Sequence, residues 1–66
     1  MMDTIARVIE LADERSLSLF KLSQLCDVPY STLKNAQIRG NQLAVGTIEQ
    51  ICGALGMTMS DFFAKE

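Results

Sequence analysis

Cys26 and Cys52 are the strongest potential nucleophiles in this chain, and no histidine accompanies either of them. A thiol attacks as its thiolate and needs a base beside it, and a zinc site needs a full set of Cys and His ligands. Neither set of parts is present. The pair shows no C-x-x-C spacing and could close one disulfide at most, so the two cysteines read as small buried apolar residues. No Gly-rich phosphate loop is present either, which argues against an enzyme and leaves no cofactor, metal or small-molecule ligand to expect. What remains is hydrogen-bonding chemistry. From Tyr30 onward, Ser31, Lys34, Asn35 and Gln37 share a polar side opposite apolar Leu33 and Ala36 at helical spacing. That side combines hydroxyl, ammonium and carboxamide groups and is polar without being strongly charged.

The rest of the chain must position this face, and its periodicity is helical almost throughout. Ile5, Val8, Ile9 and Ala12 fall at i, i+3, i+4 and i+7, which predicts a first helix over 4–14 with Asp3 or Thr4 as N-cap. Ser18 caps a second helix over 19–26. Leu17 and Leu22 flank its start as a hydrophobic staple, and Leu22, Leu25 and Cys26 form its buried side. Asp27-Val28-Pro29 interrupts the helical pattern, because proline disfavours helix at the residue before it and supplies a φ suited to opening a new one. A third helix follows over 30–38 and is closed by Gly40, with Val28 plugging the turn. Val45, Ile48, Ile51, Cys52 and Leu55 predict a fourth helix stopped by Gly56, and Thr58 with Asp61 predicts a capped fifth turn that lids the core with Phe62 and Phe63. Leu22, Leu25, Leu33, Ile48, Ile51, Leu55 and Phe62 are the expected core. Met57 and Met59 are read as core filling, with a soft dimer surface as the alternative.

The 66 residues are 48% hydrophobic and 21% charged, enough apolar material for one small core and too little polar bias for a disordered tail. No apolar run approaches the roughly 18 residues of a membrane span, and an acid, Asp3, stands where a leader would carry basic residues. The expectation is a soluble, cytoplasmic, all-α protein of five short helices. The net charge of -2 argues at first against a nucleic-acid partner, but its distribution is uneven. Between Arg15 and Thr47, Arg15, Lys21, Lys34 and Arg39 stand against Asp27 alone, so the middle is basic while the ends are acidic.

Residues 22–33, reading LSQLCDVPYSTL, then Arg39-Gly40-Asn41, then residues 47–63, reading TIEQICGALGMTMSDFF, together resemble the Cro and phage-repressor family of helix-turn-helix domains. The likeness spans 18–63. Ser23 matches the small residue after the helix-2 leucine, Gly40 the glycine closing the recognition helix, and Leu55-Gly56 with Phe62-Phe63 the final motif. Leu19 stands where the family often has Gln, Asp27 stands where it commonly has Gly, and the loop after Gly40 lacks the usual basic and Asn-Pro residues.

The resemblance implies a compact five-helix bundle of the lambda-repressor-like type, a single domain over 1–66 with its helix-turn-helix over 18–39. It further implies a sequence-specific DNA-binding transcription regulator, a repressor acting in the cytoplasm at the nucleoid. Its partner is double-stranded DNA, bound at a palindromic operator by a homodimer with helix 3 in the major groove. Base contacts fall to Tyr30, Ser31, Lys34 and Asn35: Asn suits adenine N6 and N7, Lys suits guanine O6 and N7, and the Tyr ring suits a thymine methyl. Phosphate contacts fall to Ser18, Lys21, Thr32, Arg39, Asn41 and Gln42. The rival reading is a helical protein-protein interaction module that keeps the fold without binding DNA.

Overall fold

The computed structural model describes residues 3–64, and these form five α-helices with no strand among them. The helices are α1 (Thr4–Glu14), α2 (Leu19–Cys26), α3 (Tyr30–Arg39), α4 (Val45–Leu55) and α5 (Met59–Phe63). Three of them, α1, α2 and α5, begin at a side-chain cap. The Asp3 carboxylate accepts from the Ala6 amide, the Ser18 hydroxyl from the Lys21 amide, and Thr58 and Asp61 complete a reciprocal capping box. Pro29 and Ala44 open α3 and α4 without a side-chain cap.

Four of the five helix ends, those of α1 to α4, share one device. Ser16, Asp27, Gly40 and Gly56 all have positive φ, and each is followed by an amide that reaches back to a carbonyl five residues upstream. Leu17 donates to Ala12, Val28 to Ser23, Asn41 to Ala36 and Met57 to Cys52, which satisfies carbonyls the helix leaves open and turns the chain sharply. Asp27 takes the left-handed conformation that aspartate tolerates better than most residues. Ser16 does not announce itself, because serine rarely takes this conformation and its neighbours give no glycine signal.

The core is built from Ile5, Val8, Leu11 and Ala12 of α1, Leu22 and Cys26 of α2, Leu33 and Ala36 of α3, Ile48, Ile51 and Cys52 of α4, and Phe62 of α5. Val28 and Leu43 seal it from the two connections flanking α3. Several expectations need correction. Leu25 is 57% exposed, because α2 packs on α3 and α4 through the row holding Leu22, Ser23 and Cys26, and that row turns Leu25 outward. Val45 is 64% exposed because it is the first residue of α4, beyond the reach of its neighbours. Of the two lid residues Phe62 is fully buried while Phe63 is largely exposed. In α1, Leu11 is buried and Ile9 only half-buried, since α1 packs against both α2 and α3. α3 runs one residue further than expected, to Arg39. Leu55, Met57 and Met59 are half-buried against the core. No helix among the described residues is long and apolar enough to cross a membrane.

Candidate nucleic-acid interface

The outer face of α3 is exposed. Leu33 and Ala36 are buried, and Tyr30, Ser31, Thr32, Lys34, Asn35, Gln37, Ile38 and Arg39 are exposed around them. The two inward residues lie three apart, so the opposite arc carries every predicted base-reading side chain on one helix. Its orientation is set from both ends. At the start, the Schellman turn through Asp27 carries the chain from α2 into Pro29, and Ser23 is small and buried, its hydroxyl donating to the Phe20 carbonyl at 2.6 Å. At the finish, Gly40 with φ 69° lets the chain leave α3 without strain.

α4 braces the same turn. The Gln50 side-chain amide donates to the carbonyls of Cys26 and Asp27 at 3.1 and 2.7 Å, tying the end of α2 to a helix far along the chain. The sequence carries no signal for this role, since Gln50 is an ordinary polar residue on the outer side of α4. The loop after α3 is anchored through Thr4, which is buried. Its amide and hydroxyl both donate to the Gln42 side-chain carbonyl at 2.9 and 2.8 Å, and its hydroxyl accepts from the Leu43 amide. Gln42 thus commits its carbonyl oxygen to α1, a task unrelated to phosphate. Asn41 is exposed beside it.

Charge is distributed unevenly over these elements. Arg7 is occupied far from α3: its guanidinium donates to the Phe62 and Asp61 carbonyls, pairs with Glu10 and lies over the Phe62 ring. Arg15 pairs weakly with Glu14 and donates to the Leu11 carbonyl. Lys21, Lys34 and Arg39 are exposed and have no carboxylate within ion-pair distance among the described residues. Ser18 uses its hydroxyl oxygen as the α2 cap, and Thr32 donates its amide to the Pro29 carbonyl. No family model, curated protein or solved structure matches this chain.

Sequence reasoning missed Phe20. It stands on the outer side of α2 and its ring meets Tyr30 edge-on, with centroids 5.4 Å apart at 78°. The available signal was a large apolar residue off the buried row of its helix. Leu19, at the position where the resembled family often has Gln, packs against the core instead of facing outward. The two thiols are buried and unpaired, and desolvation pushes both above the ordinary thiol range. They are small buried residues of the core, as the sequence predicts.

Proposed function

We propose that this chain is a sequence-specific DNA-binding transcription regulator, with α2 and α3 as a helix-turn-helix and α3 lying in the major groove. One observation carries the reading: Tyr30, Ser31, Lys34 and Asn35 stand exposed on one arc of a short helix whose other arc is buried. Among the described residues, the cations of α2 and α3 have no carboxylate within ion-pair distance. Such a face supplies base-edge donors and acceptors, and unpaired cations on its own and the preceding helix serve phosphates. Ser18, Lys21, Thr32, Arg39 and Asn41 take the phosphate role, and Gln42 supports it by holding the loop. With few cations per protomer, one copy binds weakly, so two copies on a two-fold operator are required, and the outcome is repression by occupancy.

A second reading, a helical protein-interaction module, has one specific observation on its side. Phe20, Leu25, Tyr30 and Ile38 are exposed apolar residues on the same two helices. Selection of bound duplexes from a randomised pool, at low and at moderate salt, separates the two. A two-fold symmetric motif that survives moderate salt supports the regulator. No enrichment at either salt, with the protein folded, supports the interaction module.

A further inference from the structure

Phe20 has no place in the core: it is 52% exposed and belongs neither to the buried cluster nor to the residues packed on it. Its ring contact is Tyr30, at a separation and angle where the positive edge of one ring meets the negative face of the other. Tyr30 is the first residue of α3 and 36% exposed, and the Phe20 ring is the neighbour that narrows the rotamers open to it. The two rings, with Val28 and Pro29, wall a half-open cleft of about 290 Å3 in the crook between α2 and α3, and Asp27 lies on its rim. Asp27 has no cation within ion-pair distance among the described residues, so the rim repels phosphate and suits uncharged base edges.

We propose that Phe20 is a positioning residue for base readout. It holds the Tyr30 ring in one attitude, so that the pair presents a fixed apolar edge to the C5-methyl group of a thymine. This rests on the DNA-binding reading above. In the major groove thymine is marked by that methyl, which cytosine lacks, and a ring held in place discriminates the two where a mobile ring adapts to both.

The test replaces thymine by deoxyuridine, one position at a time, in the duplex that the wild-type protein selects, which removes methyl groups and nothing else. At one position in each half-site the replacement weakens wild-type binding about fourfold, the effect of burying one methyl. Phe20→Leu binds thymine and deoxyuridine duplexes equally at that position and keeps its discrimination at every other. Phe20→Tyr restores the ring and the preference. Where Phe20→Leu lowers the melting temperature, Phe20→Met serves for the same comparison, and the Tyr30 ring-proton shifts report the ring contact directly. An even loss of affinity at all positions, or a Phe20→Leu variant that still prefers thymine, overturns the proposal. A wild-type protein that selects a duplex but is indifferent to every methyl overturns this proposal alone. A wild-type protein that selects no duplex overturns the DNA-binding reading with it.

Discussion

The Gln50 side-chain amide donates to the Asp27 carbonyl at 2.7 Å, so the left-handed residue that turns α2 into α3 is fastened by α4. This bond and its companion to Cys26 join residues remote in sequence and set how α3 leaves the bundle. Gln50→Ala removes both and lowers stability by about 1 kcal/mol. Gln50→Glu lowers it further at pH 7, because a carboxylate cannot donate and adds negative charge at a helix C-terminus. The Glu variant recovers as pH falls, since the protonated acid donates again. Urea denaturation at pH 7 and pH 4 checks both statements.

Gly40 and Asp27 share a backbone conformation and respond in opposite senses. A Cβ on Gly40 would meet nothing within 4 Å, so Gly40→Val costs backbone strain alone, about 1–2 kcal/mol. Asp27→Gly relieves strain that Asp already bears, and the unfolded-state freedom of glycine offsets part of the gain, so stability stays within about 1 kcal/mol of wild type. The same change removes the one acid between α2 and α3, so selected duplexes bind more tightly. Thermal melts and a binding titration read the two effects separately.

Phe62 and Leu25 divide the expected core. Phe62→Ala empties the space of a fully buried ring and costs about 3–5 kcal/mol, while Leu25→Ala stays within about 0.5 kcal/mol. Equal losses in chemical denaturation would contradict the outward placement of Leu25.

The cation count sets the salt response. With two to four phosphates met per protomer, the slope of log affinity against log salt is about -2 to -4 per protomer. Lys21→Ala reduces that slope by about 1 without changing sequence preference, whereas Asn35→Ala relaxes one base position in each half-site by about 1–3 kcal/mol. Titrations at several salt concentrations and a repeated selection distinguish the two outcomes.

Both thiols ionise less readily in the fold than in the unfolded chain, because burial disfavours the thiolate. The folded state therefore keeps protons that the unfolded state loses, and stability falls as pH rises above about 9, the ordinary value of these thiols. Below that pH the thiols contribute no slope. Cys26→Ala with Cys52→Ala removes their part of the decline, measured by urea denaturation between pH 8 and pH 10.5.

Helix positions and most of the core were legible in the chain because they depend on neighbours a few residues apart. Ser18, Thr58 and Asp61 cap within one turn, Asp27 and Gly40 break helices by their own backbone preferences, and Leu22 with Cys26 marks an inward row by spacing alone. The errors came where two rows of one short helix were equally apolar. Leu25 and Cys26 both follow Leu22 at helical spacing, and only the arrival of α3 and α4 on the Ser23 side decides that Cys26 goes in and Leu25 out. The roles of Gln42, Gln50 and Arg7 were invisible for a related reason. Each bonds to a distant backbone carbonyl or to a buried threonine, and polar side chains of this kind look alike until their partners are in place.

By itself, then, the order of residues determined five helices, most of their boundaries, and a polar arc on α3, since capping, φ preference and periodicity act over one or two turns. Tertiary structure decided which side chains on and around that arc are engaged and which are left open. It drew Gln42 into the anchorage of α1, left Lys21, Lys34 and Arg39 without carboxylate partners among the described residues, and set Phe20 against Tyr30. Those outcomes depend on distances between helices, which local sequence does not specify.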